Sequence, residues 1–316
     1  MRGAARRHGR DIHRPRHHGL PRRGDAGPAP EHRHGARHPR THPRRPHRRP
    51  PSAAAGTAPR RGAGPVRLVS VILAPLKLTI IIPAFNEEAY LPSTLDSIQT
   101  AAAHLRSDSD AESDIIVVDN NSEDDTATVA RSKGATVIHE PVQSIARARN
   151  AGVAHTDADV LVFVDADVIL PPTLLAEIHT AMSDPACVGG AVDVEYRPKR
   201  RFIRFYLRAW RLLARLTGMA QGATQFCRKT VFDEIGGYDE RTWIGEDADF
   251  FWALKKLASR TGRSTRFIES PPVQASSRRF DKWPLWKILL WTNPLFIALF
   301  RRRKAFWSGW YSRAVR

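Results

Sequence analysis

From residue 78 onward, short apolar runs alternate with amphipathic stretches, and this alternation constrains the fold more than any other feature of the chain. Residues 78–82 (LTIII), 115–118 (IIVV), 136–138 (TVI) and 160–164 (VLVFV) read as strands. Between the first two, Leu91, Leu95, Ile98, Ala102 and Leu105 recur at spacings of four and three, which predicts a helix. Further helical segments fall near 124–133 and 144–155, so the order is βαβαβαβ. Unbroken Val/Ile runs predict strands buried on both faces of a parallel sheet. Beyond residue 185 the pattern loosens: 187–196 (CVGGAVDVEY) and 221–226 (QGATQF) read as strands, 202–217 and 246–259 as helices, and no internal repeat is found.

In such sheets the ligand sits beyond the carboxyl ends of the strands. The first strand runs into Pro83-Ala84-Phe85-Asn86-Glu87-Glu88, the second into Asp119-Asn120-Asn121-Ser122, and the fourth into Asp165-Ala166-Asp167. Each group alone is an ordinary cap or turn sequence. Three separate strands delivering carboxylates and amides to one edge is a stronger signal. Two carboxylates one residue apart at a strand end can grip a hard divalent cation and leave positions open for other oxygens.

The first 65 residues have a different composition. They hold 17 arginines, no lysine and only three acids, Asp11, Asp25 and Glu31, together with nine of the 13 histidines and 11 of the 23 prolines. With almost nothing to bury, this stretch is expected to be disordered, and its lack of interleaved aromatic residues argues against nucleic acid as a partner. A translation start near Val66, Val69 or Val71 would leave it outside the native protein altogether. Cys187 and Cys227 lie 40 residues apart in no ligand spacing and read as buried free thiols. No apolar signal segment follows Met1, so a cytoplasmic domain is expected.

Taken in order, TIIIPAFNEE, VVDNNSEDDT, ARARNAG, VFVDAD, GGYDE and GEDADF make residues 78 to roughly 270 resemble a family 2 glycosyltransferase of GT-A fold. The resemblance implies a Rossmann-like mixed, mainly parallel sheet flanked by helices. It also implies inverting transfer of a sugar from a nucleotide-diphosphate donor, with a divalent metal, Mg2+ or Mn2+, as cofactor. Asp165-Ala166-Asp167 resembles the family's metal-binding DxD element, with Asp167 the more direct ligand and Asp165 acting through water or on the sugar–ribose side. Asp119 matches the aspartate that binds the nucleotide base or ribose. Asn120-Asn121 stand where Asp-Gly or Asp-Asp-Gly is usual, which alters the turn. Pro83, Ala84, Asn86, Glu87 and Asn121 would line the nucleotide pocket, with helix capping as the structural alternative for Glu87. Arg147 or Arg149 of the Arg-Asn-x-Gly segment would reach the diphosphate, and Asn150 would support the fourth strand or the nucleotide. Asp247 in Gly245-Glu246-Asp247 matches the aspartate that takes the acceptor's proton, beside Glu246, while Gly236-Gly237-Tyr238-Asp239 resembles the turn shaping the acceptor side. The alternative for the acids is that Glu246, Asp247 and Asp249 simply favour the positive end of their helix.

Two segments suggest a membrane surface. Arg204, Arg208, Arg211 and Arg215 recur at helical spacing among Phe202, Phe205, Tyr206 and Trp210. Residues 283–300 are strongly apolar and run into Arg301-Arg302-Arg303-Lys304, but Lys287, Asn293 and two prolines argue against a full span. The expectation is an amphipathic helix pair on the cytoplasmic leaflet, peripheral to an anionic membrane, with packing against the catalytic domain as the alternative. Ser276-Ser277-Arg278-Arg279-Phe280 only partly matches the motif of processive members, which points to transfer of one sugar. Arg278 and Arg279 would contact phosphate, of the donor or of a lipid-linked acceptor. The expected organisation is an extension over 1–65, a catalytic domain over 66–280 and a C-terminal segment over 281–316. The rival reading is a nucleotide-binding or membrane-surface scaffold that has lost turnover.

Overall fold

The computed structural model describes residues 76–217 and 222–311. The N-terminal extension, the alternative starts near Val66 to Val71 and the first residue of the strand expected at 221–226 lie outside the described residues.

The first half follows the alternation in the sequence. Strands β1 (Leu78–Ala84), β2 (Ser113–Asp119), β3 (Thr136–His139) and β4 (Val160–Val164) are separated by helices α1 (Leu91–Asp108), α2 (Thr126–Ser132) and α3 (Ile145–Val153). All four strands are parallel, in the order β3-β2-β1-β4. Alternate residues face opposite layers. Leu78, Ile80, Ile82, Val160 and Val162 pack with Leu91, Leu95 and Ile98 of α1, whereas Ile81, Leu161 and Phe163 pack with Ala146 and Val153 of α3 on the other face. Gly152 permits that second contact: a Cβ there would lie 2.5 Å from Cγ2 of Ile81.

The chain then adds β5 (Val168–Ile169), α4 (Leu174–Ser183), β6 (Cys187–Tyr196), α5 (Arg201–Thr217), β7 (Thr224–Arg228), α6 (Lys229–Ile235), α7 (Glu246–Thr261) and β8 (Ser264–Ala275). β7 joins β4 antiparallel, β6 joins β7 antiparallel, β8 runs parallel to β6, and β5 closes the edge antiparallel to β8. The result is an eight-stranded mixed sheet between helical layers, a GT-A-like α/β fold in agreement with the expected class. Cys187 and Cys227 are buried free thiols.

β8 was not evident in the sequence, because Pro271 and Pro272 argue against a central strand. They are tolerated because the register with β6 slips there: Val192 pairs with Ile268 but Val194 pairs with Val273, so the prolines sit in the irregularity where no ladder bond is required. The apolar stretch after residue 283 forms short helices, α9 (Leu285–Trp291) and α10 (Pro294–Phe300), preceded by α8 (Arg278–Lys282) and followed by α11 (Lys304–Tyr311). Ile203 and Leu207 of α5 form a satellite cluster with Trp283 and Ile288. No helix among the described residues is long and apolar enough to cross a membrane.

Candidate active site

The acids and amides expected at the sheet's carboxyl edge do meet there. On the nucleotide side, Asp119 is buried, and its Oδ1 accepts from the Ser122 amide at 3.0 Å. The Asn120-Asn121 departure has a physical account. Asn120 is buried and clamps the loop after β3, donating to the carbonyls of Glu140 (3.0 Å) and Val142 (2.8 Å) and accepting from the Ser144 amide (2.7 Å). Asn121 takes the left-handed conformation, φ 66°, as does Asn86, φ 53°; asparagine tolerates this region better than most residues. Asn86 Oδ1 accepts from the Glu123 amide at 2.8 Å, so the loops after β1 and β2 are bound to each other beside Pro83 and Ala84.

Two buried guanidinium groups organise the centre. Arg149 donates to Asp165 Oδ1 and Glu246 Oε1, each at 2.9 Å, and lies over the Tyr238 ring at 5.0 Å. Arg278 donates to both carboxylate oxygens of Glu87 and stands 3.3 Å from Asp167 Oδ2, over the Tyr90 ring at 4.3 Å. Each arginine therefore ties one carboxylate of the Asp165-Ala166-Asp167 element to an acid from another part of the chain. Each also leaves its buried Nε–H without a partner among the described residues.

The structure gives several of the expected site residues partners within the chain. Glu87 does not cap α1 through its side chain: the N-cap is Tyr90, and the Glu87 carboxylate is turned to Arg278. Arg147 pairs with Glu140 (3.4 Å) and Glu240 (2.8 Å), and Arg149 with Asp165 and Glu246. Asn150 makes its contacts within the protein at the acceptor-side turn. It grips the Gly-Gly-Tyr-Asp turn, with Oδ1 accepting from the Tyr238 amide and Nδ2 donating to the Tyr238 carbonyl, both at 3.0 Å. The Arg-Asn-x-Gly segment thus orders acids through Arg149, the turn through Asn150 and the helix–sheet contact through Gly152.

Asp247 sits in the first turn of α7, whose N-cap is Gly245, so Glu246, Asp247 and Asp249 do gather at the positive helix end. The Asp247 carbonyl accepts from Gln225 Nε2 at 2.9 Å, and Gln225 Oε1 accepts from the Tyr238 hydroxyl at 3.0 Å. Gly222 passes close by: a Cβ there would meet Asp247 Oδ2 at 2.1 Å. Burial pushes the Glu246 carboxyl up to about 7, with the Asp247 charge adding to the rise and Arg149 opposing it. Burial likewise raises Asp165 to about 6, opposed by Arg149 and reinforced by Asp167. Sequence reasoning missed Gln225, Tyr90 and Gly222. Gln225 alone carried a signal, as an amide set next to Phe226 and Cys227 in a buried strand. A concavity of about 1150 Å³ lies elsewhere, between α1, α4 and the start of β8; α1 contributes its C-terminal end there, away from the carboxyl edge.

Acids from one strand end, a loop and a helix start are cross-linked by buried arginines at the carboxyl edge of the sheet, the edge at which α/β sheets take their ligands. The chain belongs to glycosyl transferase family 2, whose model matches residues 79–236. Over 105 residues it is 37% identical to an uncharacterized glycosyltransferase of Mycobacterium tuberculosis, covering 32% of this chain and 43% of that protein. Over 235 residues it is 30% identical to the undecaprenyl-phosphate 4-deoxy-4-formamido-L-arabinose transferase of Sodalis glossinidius, covering 67% of this chain and 64% of that one. The chain thus spans less than two thirds of either relative. Among solved structures, glucosyl-3-phosphoglycerate synthase from Mycobacterium tuberculosis, in complex with Mn2+ and UDP-glucose, aligns with a TM-score of 0.48 at 22% identity, over 72% of this chain and 80% of that one.

Proposed function

We propose that the chain is an inverting glycosyltransferase that moves one sugar from a nucleotide-diphosphate sugar to an acceptor. The observation that carries this reading is the bridge from Arg149 to both Asp165 and Glu246, which fixes the end of β4 beside the start of α7. Donor-holding carboxylates and a proton-accepting carboxylate, Asp247, are thereby held in one frame. Asp119 takes the base or ribose, with Pro83, Ala84, Asn86 and Asn121 around it.

Asp165 and Asp167 fit a divalent cation, Mg2+ or Mn2+. Both offer hard oxygen donors at one strand end, and each has one oxygen engaged by an arginine. Among the described residues no group of three or more His, Cys, Asp or Glu forms a metal cage, so diphosphate oxygens of the donor would complete the shell. Such an ion, when bound, neutralises charge on the departing nucleoside diphosphate. The acceptor oxygen bonds to the anomeric carbon as the bond from that carbon to the diphosphate breaks. The electron pair leaves with the nucleoside diphosphate, and the acceptor's proton passes to the Asp247 carboxylate.

The acceptor side is read as a membrane surface on the cytoplasmic face, supplying a lipid-linked acceptor. Supporting this, α5, α9 and α10 turn large apolar side chains outward, including Phe202, Phe205, Trp286, Leu295 and Leu299. The basic cluster after α10 supports it only in part. Arg301 is held by Asp249, and Arg302 lies 3.3 Å from Asp239, so these two are docked on the catalytic domain.

The test is nucleoside diphosphate release from a panel of UDP-, GDP- and dTDP-sugars with membrane lipid extract as acceptor source. Release from one donor, abolished by chelation and restored by Mn2+ or Mg2+, is expected. Absence of release from every donor rejects the reading in favour of a scaffold.

A further inference from the structure

Between the carboxyl end of β6 and helix α5 lies a cleft of about 290 Å³, to which Tyr196, Arg197, Arg204, Arg208 and Arg211 contribute, with Glu195 the one carboxylate in its lining. The pairings decide which of these charges are already neutralised. Arg211 is bound through two nitrogens to Asp193, a buried carboxylate that Arg215 also contacts. Arg197 holds Glu195 through Nε at 3.1 Å and Nη2 at 2.7 Å. Arg204 and Arg208 remain, and among the described residues neither guanidinium has an ion pair or hydrogen bond. They stand one helical turn apart, where like charges repel. Solvated arginines are common on convex helix faces, but these two line a concavity whose one carboxylate, Glu195, is already engaged by Arg197.

The cleft also adjoins the reaction centre. Tyr196 forms part of its wall and pairs with Ala275 of β8, and the next residue, Ser276, donates its amide to the Asp167 carbonyl at 3.1 Å. On the same helix Phe202, Phe205 and Leu212 are exposed beside the arginines, so an anion in the cleft would sit next to an apolar surface.

We propose that this cleft binds the phosphate of the acceptor, a phosphomonoester whose oxyanion is held by Arg204 and Arg208. A guanidinium pair suits phosphate because its planar N–H groups match the oxyanion bidentately. The role as acceptor rests on the glycosyl-transfer reading; the phosphate site itself does not.

The full chain is titrated with glycerol 3-phosphate in one arm. In the other it is titrated with phosphatidylcholine vesicles with or without phosphatidic acid. The Arg204→Gln/Arg208→Gln variant is compared with Lys256→Gln/Arg260→Gln, which removes the same charge from the exposed face of α7, and urea midpoints check that both fold. Phosphomonoester binding should weaken about tenfold or more in the first variant and hold in the second. Dependence in the glycerol 3-phosphate arm identifies a soluble phosphorylated acceptor, and dependence confined to the phosphatidic acid arm a lipid-borne one. Equal losses in both variants, or none in either, overturn the site. Should no donor release nucleoside diphosphate while the Arg204/Arg208 dependence stands, the transfer reading fails and the phosphate site survives it.

Discussion

In β1 and β4 the residues Leu78–Ile82 and Val160–Val164 are all buried, Thr79 being the one polar side chain among them, and the carboxylates and amides lie beyond their carboxyl ends. In α5 and the helices packed against it the order is reversed: Phe202, Phe205, Trp286 and Leu295 face outward, while Asp193, beneath α5, is buried and held by Arg211 and Arg215. The first region is built by hydrophobic burial, which gives a stiff sheet and a fixed carboxyl edge. The second is held by the satellite cluster of Ile203, Leu207, Trp283 and Ile288 together with the Asp193 charge pairs, and it leaves large apolar side chains exposed. A rigid edge on one side and an exposed apolar face on the other is the division of labour the proposed function requires.

The sharpest way to break this contrast is to unpair the buried charges at the rigid edge. Arg149→Ala strands Asp165 and the buried Glu246, and should cost about 3–5 kcal/mol in urea unfolding. Arg147→Ala, two residues earlier, removes only partly exposed pairs and should cost about 1 kcal/mol or less. If the two variants unfold alike, Arg149 is not the keystone described here.

Asp167→Asn follows. An amide is a poor ligand for a hard cation, so turnover should drop about 10³-fold with the unfolding midpoint little changed, and chelation of the wild-type protein should reproduce the loss. Wild-type turnover across a metal titration would show that the ligand lies elsewhere. Asp247→Asn should reduce kcat by about 10²-fold while leaving donor affinity unchanged, because the amide keeps the shape but cannot accept the proton. Donor titration by calorimetry separates the two cases: parallel losses in affinity and rate would move Asp247 to the donor side.

The same contrast explains what could be read in advance. Strands made of unbroken Ile and Val runs, and helices such as α1 with its periodic Leu91, Leu95 and Ile98, announce themselves because burial and periodicity are local properties of the sequence. β8 stayed hidden because its prolines are tolerated only through a register slip against β6, which no local pattern encodes. At the site, the residue types at the strand ends were legible. Their partners were not: Arg149 finds Glu246 97 residues away, and Arg278 finds Glu87 across 191. Pairings over such separations follow from sheet order, and sheet order beyond β4 depends on antiparallel and edge choices the sequence leaves open. Hence the sequence places Glu87 at the nucleotide pocket, with capping as the alternative, and Arg147 or Arg149 at a diphosphate, but only the fold shows the partners Arg278 and Glu246.

The smallest effect on folding, and the cleanest probe of the outward face, is the triple change Phe205→Ser, Leu295→Ser and Leu299→Ser. These side chains are 73%, 74% and 72% exposed, so they contribute little to the core, and stability should stay within about 0.5 kcal/mol per substitution. If the face rests on a membrane, each loses apolar contact worth about 1 kcal/mol on partial burial, and together they should lower partitioning onto anionic vesicles by about tenfold or more. Arg303→Gln gives the electrostatic counterpart, with a loss of up to about 1 kcal/mol that fades as salt is raised. Arg301 is the wrong choice for that test, since its pairing with Asp249 would undock the segment. Sedimentation with vesicles, read alongside urea midpoints, separates the outcomes. A triple variant that pellets like the wild-type protein would leave the exposed apolar face without a membrane role and remove the main support for a lipid-linked acceptor, while the carboxylate site on the rigid edge would stand unaffected.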